Sequence, residues 1–120
     1  MAAMMVRSSL SAVKSFRVHC ILDTGAMNVC IPEELCRQMG LAKIGTQGVL
    51  GANGRAEVPV YRAAVGISGL PDFEREVDIL GLSTQTALLG YELFSQLDAI
   101  DISLKTGNVT FHAGEHSVRH

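Results

Sequence analysis

The chain has 120 residues, of which 48% are apolar and 18% are charged, and its formal net charge is −2. This length suffices for one hydrophobic core, so we predict a single domain over residues 1–120 with a core of about residues 14–112. The apolar content excludes a disordered chain, and the lack of any Lys/Arg run argues against nucleic-acid binding.

The start of the chain predicts its compartment. Residues Met1 to Arg7 lack the charged start and long apolar core of a signal peptide. No apolar stretch approaches the roughly 20 residues of a membrane-spanning helix, so we expect no membrane contact. A cytoplasmic protein is predicted, although a domain cut from a longer precursor or polyprotein would have the same features.

The first clear element is a strand that leads into an aspartate. From Phe16 to Leu22 every second residue is apolar, with Arg17 and His19 between them. This alternation predicts a half-buried strand that runs directly into Asp23. A short helix is predicted next, over 32–39, because the segment begins with Pro and two acidic residues and is followed by glycine.

The rest of the chain predicts mostly strands. Alternation or β-branched content favours strands at 58–67 and 73–80, and a second short helix is predicted over 91–97. Segments 100–104 and 109–111 flank turn residues and predict a β-hairpin. Many short strands with one or two short helices predict an all-β domain, closed or folded over one core.

The cysteines predict neither a disulfide framework nor a zinc knuckle. Cys20, Cys30 and Cys36 are odd in number and show no Cys-x-x-Cys spacing, which favours buried, reduced thiols.

Histidines recur every four residues at the end of the chain, at 112, 116 and 120. On a helix this spacing could hold zinc. Gly114 weakens such a helix and chain ends fray, so a solvated tail is the favoured interpretation and we expect no metal or cofactor.

The chemistry of the chain is concentrated at Asp23-Thr24-Gly25-Ala26. An aspartate at the end of a buried strand is rigid and partly desolvated, and such a carboxylate has a tunable pKa. Gly25 allows a tight turn and close backbone approach, while Thr24 offers a hydroxyl that can brace the loop. The tripeptide alone is also an ordinary turn sequence between strands.

With its surroundings, the segment resembles the active-site loop of retropepsin-like aspartic peptidases. An apolar pair precedes Asp-Thr-Gly-Ala, and a short strand at 29–31 follows it. A downstream apolar pair with glycine, Leu88-Leu89-Gly90, leads into a predicted helix as in that family. A glycine-bearing segment between them matches the family's flap, the hairpin that closes over substrate. The flap candidates are Gly51, Ala52, Asn53 and Gly54.

The resemblance covers roughly residues 16–111 and implies specific roles. The helix predicted over 32–39, after the Asp23 loop, resembles that of cellular and bacterial members of the family more than that of viral members. Viral relatives carry an acidic residue after the Ala and an Arg after the second glycine, where this chain has Met27 and Tyr91.

Aspartic peptidase chemistry requires two carboxylates, one ionised and one protonated. No other aspartate of the chain is followed by Thr/Ser-Gly, so the resemblance implies a homodimer with one Asp23 from each copy. It also implies a polypeptide substrate and endopeptidase activity. A retropepsin-like dimerisation or peptide-binding module without useful turnover is the alternative.

Overall fold

The structure, a computed structural model, describes residues 2–51 and 54–120. The strands and helices follow in chain order: β1 (Ala2–Arg7), β2 (Ser15–Leu22), β3 (Val29–Pro32), α1 (Glu33–Gln38), β4 (Ala42–Gly51), β5 (Gly54–Ile67), β6 (Glu74–Leu82), β7 (Ala87–Leu89), α2 (Tyr91–Phe94), β8 (Ala99–Ile102), β9 (Val109–Ala113) and β10 (His116–Arg119).

Seven strands form one sheet that closes on itself. Their order is β1-β2-β7-β3-β6-β5-β4, and β1 also pairs with β5. A closed six-stranded barrel therefore consists of β1, β2, β7, β3, β6 and β5. Strand β4 pairs with β5 outside this ring. Strand β5 has 14 residues, which lets its first half pair with β4 and its second half with β1. This confirms the predicted all-β barrel with two short helices.

The barrel encloses one main core. Among its most deeply buried side chains are Met4 and Val6 of β1, Ile31 of β3, Ile79 of β6 and Phe111 of β9. The alternation predicted for 16–22 is present, since Val18 and Cys20 are buried while Arg17 and His19 are exposed. Structured residues extend beyond the predicted core of residues 14–112, because β1 precedes it and β10 follows it.

The predicted helices and hairpins are present with small changes of bounds. Helix α1 begins after Pro32 and is followed by Gly40 at φ 70°, and α2 begins after Gly90 but ends sooner than predicted. Strands β8 and β9 form the predicted hairpin. Among the described residues, no helix is long and apolar enough to cross a membrane.

The interpretation of the last residues as a solvated tail is wrong. Strand β10 pairs with β9, and β10-β9-β8 form a three-stranded sheet. Ala3 donates its backbone N–H to His120 Nδ1 at 3.0 Å, and His120 Nε2 donates to the Ser68 carbonyl at 2.8 Å. The His120 ring also packs edge-on against Phe111. Pairing and these contacts offset the fraying that an unsupported terminus would show.

Candidate active site

Asp23 begins a loop that is tightened by its own hydrogen bonds. The Asp23 N–H donates to the Leu89 carbonyl at 3.2 Å, so the residue continues directly from the pairing of β2 with β7. Its Oδ1 accepts the Gly25 N–H at 2.9 Å, and its carbonyl accepts the Ala26 N–H at 3.2 Å. These bonds fix the carboxylate at the end of a barrel strand while leaving it half-buried.

The predicted neighbours Thr24 and Gly25 are exposed, and Ala26 is half-buried. A Cβ added to Gly25 would meet only Asp23 Oδ1, at 3.4 Å, which is an ordinary contact. Gly25 is also not among the described glycines with positive φ. A single copy of the chain therefore does not require glycine at this position.

Strand β7 lies between the two strands that flank the Asp23 loop. It pairs parallel with β2 on one side and meets β3 antiparallel at Cys30 on the other. Leu89 is buried in the core, and a Cβ on Gly90 would lie 2.1 Å from the Asn28 carbonyl oxygen. Only glycine permits this approach, so Gly90 lets β7 and the loop pack directly against each other.

The loop is also tied to the start of helix α2. Tyr91 and Glu92 donate their backbone N–H groups to the carbonyls of Ala26 and Met27, at 2.9 and 2.8 Å. Asn28 Nδ2 donates to Glu92 Oε2 at 3.0 Å. Sequence reasoning missed this side-chain pair, although Asn28 and Glu92 each lie one residue after the positions of the acidic/Arg pair in viral relatives.

Three exposed apolar side chains belong to the loop or to the ends of β2 and α2 that adjoin it. Met27 is 67% exposed, Tyr91 is 52% exposed and Ile21 is 46% exposed. Exposed apolar surface of this kind is typical of sites that bind a partner. The residues that replace the acidic/Arg pair thus give this face an apolar character.

A small second apolar cluster lies beside the loop. Its buried members are Cys30, Val60 and Leu80, and the partly buried members are Val49, Val58, Leu82 and Leu88. Burial and, to a smaller extent, the nearby Asp23 carboxylate raise the pKa of the Cys30 thiol to about 11. Cys30 is therefore a protonated, apolar side chain at neutral pH, as predicted for a buried thiol.

Strands β4 and β5 form the hairpin predicted as the flap. Gly51 pairs with Gly54, and Gly54 has φ 98°, a conformation that favours glycine. The predicted flap residues Ala52 and Asn53 lie outside the described residues. Leu50, next to the tip, is 87% exposed. At the other end of the hairpin, the buried Tyr61 donates its hydroxyl to Glu33 of α1 at 3.1 Å.

Comparison with known proteins decides the family. The family model described as "Aspartyl protease" matches residues 12–93, which is more than half of the chain. The chain belongs to the aspartyl protease family. Within the matched range of this protease lie the Asp-Thr-Gly segment, the β4–β5 hairpin and Gly90.

The fold of the protease is similar to that of a retroviral enzyme. The solution structure of simian foamy virus (mac) protease matches it with a TM-score of 0.53 and 18% sequence identity, covering 78% of this chain and 90% of that one. At this identity the likeness concerns the fold. No curated protein sequence matches the protease significantly. The predicted retropepsin-like family and fold are confirmed.

Proposed function

We propose that this protease is an endopeptidase that hydrolyses peptide bonds in extended polypeptides as a homodimer, with Asp23 of each copy forming one catalytic pair. The observation that carries the proposal is the position of Asp23. Its backbone is bonded to β7, its Oδ1 accepts the Gly25 N–H, and its carboxylate remains half-exposed at the end of a barrel strand. This rigid, accessible carboxylate suits acid–base chemistry.

The need for a second copy follows from the chemistry. One carboxylate must be ionised to take a proton from water, and the other must be protonated to donate to the scissile carbonyl. Two carboxylates about 3 Å apart share one proton because both cannot ionise together. The chain contains a single Asp-Thr-Gly, so the second carboxylate comes from a second copy across a two-fold axis.

Two features of the loop support this assembly. Gly25 has no steric reason to be glycine in a single copy, whereas a closely approaching second loop would supply one. Met27, Tyr91 and Ile21 expose apolar surface beside Asp23, and a second copy would cover it. Covering apolar surface contributes about 25 cal/mol per Å² before the cost of association.

In the proposed reaction the Asp23 pair activates one water and polarises the substrate amide. Thr24, Gly25 and Ala26 hold the loop and line the cleft. Gly51, Ala52, Asn53 and Gly54 form the tip of the flap, which folds over a peptide that is bound in an extended, strand-like conformation. Closure excludes water, and the electrostatic interactions of the carboxylate pair become stronger. This mechanism requires no metal or cofactor.

The direct test replaces the Asp23 carboxylate with an amide. Asp23→Asn should lower cleavage of a mixed peptide library about 10²–10⁴-fold, with unchanged circular dichroism and thermal midpoint. Asp72→Asn is the matched control, because Asp72 is exposed and its φ of 61° suits Asn. Asp72→Asn should cleave at the wild-type rate. Full activity in Asp23→Asn would contradict the proposal.

A second candidate function is peptide binding without turnover. The observation that favours it is the presence of Met27 and Tyr91 where viral relatives carry the acidic/Arg pair. Measuring peptide affinity and cleavage on the same samples separates the candidates. Binding without any pepstatin-sensitive cleavage by the wild-type dimer would favour the binding module.

A further inference from the structure

Basic side chains from separate strands meet in a cavity away from the Asp23 loop. A cavity of about 340 Å³ is lined by Arg17 and His19 of β2, Arg119 of β10 and His120, together with Ala2, Ala3, Ser68, Gly69 and Val118. Among the described residues, no Asp or Glu side chain lines it. In a chain with net charge −2, two arginines around one cavity are a local reversal of the average charge, and two histidine rings lie beside them.

The arginines of this cavity are available to a ligand. The ion pairs within the described residues involve Arg7, Arg37, Arg62 and His112, and none includes Arg17 or Arg119. Arg119 also borders a neighbouring cleft that contains Asp101. Asp101 is bonded to His112 at 2.8 Å, and the ion pairs within the described residues do not join it to Arg119.

Backbone geometry holds the cavity in shape. Arg17 and His19 are two residues apart on β2 and therefore lie on the same face. Ala3, which is opposite His19 in the pairing of β1 with β2, donates to His120 Nδ1. His120 Nε2 donates to the Ser68 carbonyl, so His120 connects β1 and the end of β10 to the 68–69 turn. Both ring nitrogens of His120 have partners, whereas Arg17, His19 and Arg119 form no side-chain hydrogen bond or ion pair with the described residues.

Gly69 is part of the same construction. It has φ 83°, and a Cβ there would lie 2.9 Å from Val118 Cγ2. Glycine at this position therefore allows β10 to approach the 68–69 turn and brings Arg119 to the cavity. Strand packing thus forms the base of the cavity, and the exposed side chains of Arg17, His19 and Arg119 border it.

We propose that this cavity binds a small phosphate-type oxyanion, either free phosphate or the phosphate group of a monoester. Guanidinium groups present a planar fork of donors that matches phosphate oxygens, and two of them with an imidazole suit a doubly charged group. The volume is within the range of small-ligand sites. A bound anion would bridge β2 to β10 and so stabilise the strand that ends one residue before Asp23.

The experiment measures the thermal midpoint of the full chain in sodium phosphate, in O-phosphoserine and in sodium chloride at equal ionic strength. A ligand that binds only the folded state raises the midpoint with concentration. A rise with both phosphate compounds indicates a monoester site, and a rise with inorganic phosphate alone indicates a free-phosphate site. No rise over chloride for either compound would overturn the proposal.

Variants then assign the effect to the cavity. Arg17→Gln and Arg119→Gln should each weaken phosphate binding about tenfold, since each removes charged hydrogen bonds. Arg55→Gln is the control, because Arg55 is an exposed arginine outside the cavity. The thermal midpoint of each variant in phosphate is compared with the midpoint of the same variant in sodium chloride. A change in the intrinsic stability of the variant therefore does not affect the comparison.

A second measurement does not depend on any variant. The His19 ring resonances of the wild type should shift on phosphate titration, while those of the exposed His116 should not. Equal phosphate responses in wild type and both cavity variants, or a static His19 signal, would refute the site.

Discussion

Asn28 and Glu92 join the Asp23 loop to helix α2 through a hydrogen bond of 3.0 Å between Asn28 Nδ2 and Glu92 Oε2. The pair lies beside the backbone bonds from Tyr91 and Glu92 to the loop carbonyls. It connects the same two segments that the acidic/Arg pair occupies in viral relatives, and it does so with one charged and one neutral partner. The loop is thus fastened even though Met27 and Tyr91 cannot form an ion pair.

Removing this bond should loosen the loop without unfolding the barrel. Glu92→Leu should lower the free energy of unfolding by about 1 kcal/mol, because both partners are only half-buried. Glu92→Gln keeps an acceptor oxygen and should cost a few tenths of a kcal/mol. Urea denaturation of the three proteins measures the difference. Equal losses in the two variants would show that the charge and not the hydrogen bond matters.

Gly90 should tolerate no side chain. In Gly90→Ala the new Cβ would fall 2.1 Å from the Asn28 carbonyl oxygen, so the backbone of the loop must move. We expect a loss of about 3 kcal/mol or more in the free energy of unfolding. Gly45→Ala is the matched control, since nothing lies within 4 Å of its added Cβ and its φ is not positive. A normal thermal midpoint in Gly90→Ala would contradict the observed contact.

Mixing wild-type and mutant chains tests the shared carboxylate pair. If each site uses Asp23 from two copies, excess Asp23→Asn chains should reduce activity per wild-type chain by forming dimers with one carboxylate. Specific activity should also fall on dilution below the dimer dissociation constant. Asp72→Asn chains, added in the same excess, should not inhibit. Activity that is independent of both dilution and added Asp23→Asn would exclude the homodimeric site.

The three thiols make a pH-dependent contribution with a definite sign. Burial raises the pKa of Cys20, Cys30 and Cys36 from 9.0 to about 11 in each case. Their contribution to stability is therefore complete below pH 9 and is lost as the pH rises to about 11, because only the unfolded chain ionises in that interval. Cys30→Val should show a smaller fall in thermal midpoint over this interval than wild type. An identical fall would exclude Cys30 as a contributor.

Local patterns in the sequence predict much of the barrel. The alternation from Phe16 to Leu22 specifies which face of β2 is buried, and Pro32 and Gly40 bound helix α1. Gly54 is the expected glycine of a tight hairpin and does have positive φ. In these cases the cause lies within a few residues of the element, so a single segment is enough to predict it.

Features that depend on distant partners were not predicted. Strand β1 has no alternation because its residues are mostly buried on both faces, and only its pairing with β2 and β5 makes it a strand. Strand β10 depends on β9, and His120 depends on Ala3 and Ser68. The Asn28–Glu92 bond spans 64 positions of sequence. No local pattern encodes such contacts, because they exist only once the barrel has closed.

Strand β1 closes the barrel. Among the described strands it alone pairs with both β2 and β5, and without it β2 and the second half of β5 would become free edges of an open sheet. Free strand edges are templates for pairing with other chains. A proteolytic cut between Arg7 and Ser15 followed by loss of β1 would thus open the barrel. The resulting sheet would have unpaired strand edges that can pair with other chains. The integrity of these few residues governs whether the molecule stays separate from its neighbours or aggregates with them.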